Sequence, residues 1–255
     1  MLEKAIFIVG SGRCGTSWIQ DWLLQHPQIC GEFNESKLFD VLSGIFKHPQ
    51  KMHFNKQDFK TNGIYEWIEP EEFADAVSNF VFEIFDKYCH KQGRPYVVEK
   101  TPRHFWSSES INRTLAHRCE VYFIHLYRDG RNVLESFLRQ VWSPEPYVAT
   151  PHWIKEMEYM LAGECPENML HLKYEDLIHD PKIGEQTILS FCGLKYHKSI
   201  ELFQKGFSGH TILEYDPNRW KRIIGYGFLR KCCTEMIPTL RKLGYPVGGD
   251  QLPKG

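Results

Sequence analysis

What this sequence lacks narrows its class before any motif is read. Charge of one sign is scarce: 31 Lys and Arg against 32 Asp and Glu leave −1 over 255 residues. A protein that grips a nucleic-acid backbone by bulk charge needs a basic excess, so that class is set aside. No apolar run approaches the roughly 20 residues of a membrane span. Leu2-Glu3-Lys4 leads straight into the short apolar stretch 5–9, which is no secretory h-region. The expected address is cytoplasmic, unless the chain is trimmed from a longer, targeted protein. The eight cysteines include no CxxC pair, which removes zinc ribbons and thioredoxin-type motifs. The twelve histidines form no HExxH. We expect no metal, and thiols that are mostly buried and reduced.

What is present reads as one folded domain over residues 1–255. Apolar residues make up 42% and aromatics 14%, enough for a full core, with no linker, repeat or low-complexity tract. Strands are expected at 5–9, 96–99, 121–127 and 169–174, where β-branched and aromatic residues run together. Helices are expected at 17–25, from Pro70, and at 131–141, 153–161, 183–191 and 228–243, the last interrupted by Pro238. Strands alternating with helices predict an α/β fold, a central parallel sheet flanked by helices in the manner of P-loop nucleotide kinases. Residues 31–69 read as an irregular loop with short helices.

The densest chemical signal joins the first strand to the first helix: Gly10-Ser11-Gly12-Arg13-Cys14-Gly15-Thr16-Ser17. Gly10 and Gly15 have P-loop spacing, and such a turn wraps an anion with backbone N–H groups and a helix N-terminus. A nucleoside-triphosphate P-loop carries Lys before its Ser/Thr. Here Thr16 fills that slot and the cation is Arg13. A second signal follows the strand at 121–127. Arg128 leaves its carboxyl end, where open α/β sheets bind ligands, and Ser136 lies about two helical turns on. A guanidinium and a hydroxyl so placed suit a second phosphate. The competing use of Arg128 is a salt bridge to Asp129.

These motifs resemble those of the sulfotransferases that use 3′-phosphoadenosine 5′-phosphosulfate (PAPS). The glycine turn resembles their 5′-phosphosulfate loop, and Arg128 with Ser136 resembles their 3′-phosphate site. Val98-Glu99-Lys100-Thr101-Pro102 is similar to the E-K-[ST]-P strand of the heparan-sulfate-type branch. His171-Leu172-Lys173-Tyr174-Glu175-Asp176-Leu177 is similar to a late strand end, and Arg219-Trp220-Lys221 to a C-terminal R-W loop. Gly12 stands where the family usually has Pro, and Cys14 replaces Ser or Thr.

The resemblance implies transfer of a sulfonate from PAPS to a hydroxyl or amine, releasing PAP. The donor would be held by Gly12, Arg13, Cys14, Gly15, Thr16, Ser17, Arg128 and Ser136, with Lys221 and Arg222 closing over the 3′-phosphate. Pro102 stands where the small-molecule branch has its catalytic His. Glu35, in Glu35-Ser36-Lys37-Leu38-Phe39-Asp40, matches the Glu base of the heparan-sulfate-type branch. Glu32 is the competitor, and His104 and His125 lie in the same regions. Lys100 and Arg13 complete the catalytic set. The acceptor is a small molecule, carbohydrate or peptide; aromatics such as Phe39, Phe46, Phe54, Trp67 and Trp142 are candidate walls for it. Two other classes stay open: a P-loop small-molecule kinase, against which Thr16 counts, and an inactive nucleotide-binding relative.

Overall fold

The structure, a computed structural model, describes residues 1–32, 34–39, 67–139, 146–200, 216–223 and 227–247. The apolar run after Glu3 forms β1 (Lys4–Gly10), every residue of which is buried. A continuous apolar run without alternation suits a strand covered on both faces. The chain continues through α1 (Thr16–Leu23), a two-residue strand β2 (Ile29–Cys30), the long α2 (Pro70–Gln92) and β3 (Tyr96–Lys100). Helix α2 opens on a capping box between Glu69 and Glu72 and closes on Gly93 at φ 66°. A 3-10 turn (Pro102–Ser107) leads into α3 (Ser108–Leu115) and then β4 (Glu120–Tyr127). Helices α4 (Gly130–Leu138) and α5 (Pro146–Leu161) precede β5 (Met169–Lys173), α6 (Tyr174–His179) and α7 (Pro181–Phe191). A 3-10 turn (Arg219–Arg222), α8 (Gly227–Glu235) and α9 (Ile237–Lys242) follow.

The five strands are ordered β2-β3-β1-β4-β5, and all pairs are parallel. Ile6 and Ile8 pack toward Ile19 and Trp22 of α1, Trp153 and Met157 of α5, and Ile188 of α7. Ala5, Phe7 and Val9 pack on the other face toward Val81 and Phe85 of α2 and Ile111 and Leu115 of α3. The chain leaves β1 toward the β3 side and leaves β4 toward the β5 side. Those diverging connections open a crevice at the carboxyl ends of β1 and β4, the usual ligand position in such sheets.

The expected α/β class with a parallel sheet and flanking helices is what the structure shows. Several boundaries differ. Helix α5 begins at Pro146 rather than near 153 and runs through Pro151. The turn and helix from Pro102 to Leu115 were not expected. Strand β2 is too short to carry a pattern. All eight cysteines are free; seven are buried and Cys165 is half-buried. Most of the 31–69 segment, with Phe46 and Phe54, and also Trp142, lies outside the described residues. No described helix is long and apolar enough to cross a membrane.

Candidate functional site

The glycine turn after β1 holds three residues in the left-handed region: Gly10 (φ 133°), Arg13 (φ 70°) and Gly15 (φ 95°). Close packing adds to the demand for glycine. A Cβ at Gly10 would sit 2.3 Å from the Leu126 carbonyl oxygen of β4, and one at Gly15 2.7 Å from the Tyr174 ring. Gly15 is also the N-cap of α1, and no side chain caps that end. Its first amides are therefore available to an anion. The Cys14 side chain is wholly buried in the core, so only its main chain can serve the loop. Burial, with Glu156 nearby, pushes the thiol pKa well up, which keeps it protonated. Thr16 is buried and Ser17 exposed at the head of α1.

Arg128 and Ser136 come to this loop as expected. The Arg13 Nε donates to Ser136 Oγ at 3.1 Å, and Arg128 Nη1 donates to the Arg13 carbonyl at 3.3 Å. The Arg128 guanidinium lies 4.5 Å from the Tyr174 ring centroid. Asp129 does not take Arg128; it accepts two side-chain bonds from Arg131, at 3.0 and 2.6 Å. Burial, followed by repulsion from Arg139 and Arg128, draws the Arg13 pKa below its ordinary value. Like charges gathered in this way suit a polyanion.

A second group lies at the end of β3. Lys100 Nζ is 3.7 Å from Glu35 Oε1. Strand alternation sends Glu99 to the opposite face, so it is not the surface partner of Lys100 that adjacency suggests. Glu99 Oε1 accepts from Ser36 N (3.3 Å), Ser36 Oγ (2.7 Å) and Thr101 Oγ1 (2.5 Å), while His104 Nδ1 lies 3.0 Å from Oε2. Burial alone raises that carboxyl pKa, but His104, Thr101 and Ser36 together hold it below the usual range. Lys37 N donates to Thr101 Oγ1, and Phe39 packs edge-on against Phe7 and His104. The segment bearing Glu35 is thus pinned to β3 from both sides. Glu32 points elsewhere: Tyr88 of α2 donates to its carboxylate at 2.8 Å.

The 216–223 run docks on α4 through residues other than those singled out. Trp220 is buried, donates its backbone N–H to Asn132 Oδ1 and stacks at 4.3 Å on the Arg131 guanidinium. Arg219 Nε lies 3.8 Å from Glu135, beside Ser136. Lys221 and Arg222 are exposed, and Arg222 pairs with Asp216 at 3.5 Å. Arg219 is therefore the basic residue of the run that packs on α4, where it pairs with Glu135. The R-W pattern named it, but the charge run drew attention past it. His104 and His125 are both fully buried, His104 against Glu99 and His125 against Glu156.

A glycine turn between a buried parallel strand and a helix, with Arg128 from the adjoining strand end, defines a P-loop-type α/β protein. Within that class the chain belongs to the sulfotransferase family, whose profile matches residues 5–198. The fold is shared with the sulfotransferase domain of the Synechococcus PCC 7002 olefin synthase. That match has TM-score 0.58 at 18% identity and covers 97% of this chain and 96% of the other. The sulfotransferase domain from the curacin biosynthetic pathway gives 0.59 at 16%, covering 97% and 99%. Sulfotransferase STF9 from Mycobacterium avium gives 0.52 at 14%, covering 98% and 79%. No curated protein matches significantly by sequence.

Proposed function

We propose that the protein transfers a sulfonate group from PAPS to a hydroxyl or amine of a small-molecule, carbohydrate or peptide acceptor. The observation that carries this reading is the Glu35 carboxylate set 3.7 Å from Lys100 Nζ, at the end of β3, the strand paired with the β1 that leads into the Arg13 turn. The uncapped α1 N-terminus and the donor set around Ser136 fit a substrate with two phosphoryl groups. The amides of residues 12–17 and Arg13 would hold the 5′-phosphosulfate; Arg128 and Ser136 would hold the 3′-phosphate. Arg219 would serve that second phosphate, with Lys221 and Arg222 of the same run closing over it.

Glu35 takes the acceptor's proton as the acceptor oxygen or nitrogen bonds to sulfur and the bond from sulfur to the 5′-phosphate oxygen breaks, releasing PAP. Lys100 and Arg13 offset the charge that develops on the sulfonate and leaving oxygens. Near-zero net charge disfavours a long polyanionic acceptor, which calls for a basic groove. The test is an acceptor panel with labelled PAPS. Glu35→Gln is expected to lose about 10²–10⁴-fold in turnover, the usual worth of a general base, while PAP affinity stays within twofold. Full turnover in that variant would move the base role to Glu32 or a histidine.

A further inference from the structure

The loop after β1 is held in a conformation that needs holding. A non-glycine residue at φ 70°, Arg13, flanked by Gly10 and Gly15 at positive φ, persists only where its surroundings fix it. Two of its ties, Arg13 to Ser136 and Arg128 to the Arg13 carbonyl, use groups assigned above to the phosphates. The third tie is independent of them. Ser11 Oγ donates to Glu156 Oε2 at 2.9 Å, across 145 positions of sequence.

Glu156 lies on α5, is buried, and carries no motif. Its other oxygen, Oε1, receives His125 Nε2 at 3.1 Å from β4, and His125 Nδ1 meets His171 Nδ1 of β5 at 2.8 Å. His125 is itself packed 4.6 Å from the Phe105 ring. Burial, then the neighbouring His125, pushes His171 down to about 4, so it stands in this chain as a neutral ring. A carboxylate under an anion site is costly unless satisfied. Here both oxygens are satisfied, one by the imidazole and one by the loop.

We propose that Glu156, oriented by His125 and His171, is a positioning residue that pre-organises the phosphate-binding loop through Ser11. The inference rests on the reading that this loop holds the 5′ side of PAPS. Apparent affinity falls in proportion to the fraction of loops in the competent shape. If losing the tie leaves about one-tenth of them competent, the PAP Kd rises about tenfold.

The test is calorimetric titration of the full chain with PAP, alongside hydrogen exchange at amides 11–17. Ser11→Ala and Glu156→Ala are each expected to raise the Kd about tenfold, and the double variant no further, because both remove one tie. Glu156→Gln is expected to stay within threefold, since its amide can serve His125 and Ser11 together. Multiplicative effects in the double variant overturn the proposal. So does wild-type affinity in Glu156→Ala with weakened Ser11→Ala, which would make Ser11 a direct phosphate contact. If Glu156→Ala does not fold, Ser11→Ala decides by exchange: loop amides exchange at least several-fold faster, and unchanged rates refute the tie. Wild-type protein that binds no PAP defeats the functional reading, and the exchange result still judges the loop.

Discussion

Gly15→Ala probes the site with the least chemistry, since it adds one methyl group. The left-handed backbone at φ 95° costs an alanine about 1–2 kcal/mol. The new Cβ would meet two Tyr174 ring carbons at 2.7 Å. Such overpacking costs about 1–3 kcal/mol more. Together, about 3 kcal/mol lowers the Tm of a chain this size by about 6–12 °C. Gly163 supplies the control: it sits at φ 72° with nothing within 4 Å of an added Cβ, so Gly163→Ala bears the backbone cost alone. Its expected drop is about 2–8 °C. Tyr174 also supports the Arg128 guanidinium at 4.5 Å, so displacing it should weaken PAP binding in Gly15→Ala only. Thermal denaturation with and without PAP reads both effects. Equal Tm losses and equal PAP shifts in the two variants would refute the packing argument.

Further outcomes follow from the same geometry. Arg128→Ala should abolish PAP binding by calorimetry while leaving the fold intact by circular dichroism, because Asp129 keeps its own partner in Arg131. Ser36→Ala removes one donor from the buried Glu99 carboxylate and should cost about 1–2 kcal/mol in urea unfolding. Acid should weaken the protein in two stages. Below about pH 6.5 the unfolded chain protonates His171 while the folded ring, at about 4, does not, so stability falls across that window. The ring is only part-buried, so the discounted loss is about 1–2 kcal/mol, and His171→Gln should flatten it. Glu99 has a depressed folded pKa, so its contribution is present above the unfolded carboxylate range and is lost as pH drops through the folded value.

The site was legible wherever its geometry is local in sequence. A strand, a glycine turn and a helix within 20 residues announce a phosphate loop, and the eight-residue step from Arg128 to Ser136 follows from helical pitch. The same holds for the sheet, because buried parallel strands such as β1 are unbroken apolar runs. What escaped is what tertiary contact decides. The partners of Glu99 are Ser36, Thr101 and His104, on the face of β3 away from Lys100, and only the first of these comes from a distant part of the chain. Glu156 is joined to Ser11 across 145 residues, and no local pattern encodes that meeting. Helix α5 starts at Pro146 rather than near 153 and contains Pro151, a residue that disfavours helix interiors; Trp153 and Met157 beyond it are buried in the core. In the 216–223 run, the buried Trp220 docks on α4 and sets Arg219 against Glu135, a contact that the charge run alone does not encode.

The central claim is that the glycine turn with Arg13, together with Arg128 and Ser136, holds the two phosphates of PAP rather than a nucleoside triphosphate. Thermal denaturation against PAP and, in parallel, Mg·ATP tests it most directly. At 100 times its Kd, PAP should add about 2.7 kcal/mol, which is a Tm rise of about 5–11 °C, absent in Arg13→Ala; Mg·ATP should add far less. A melting temperature unmoved by saturating PAP but raised by Mg·ATP would contradict the account and assign the loop to a phosphotransferase.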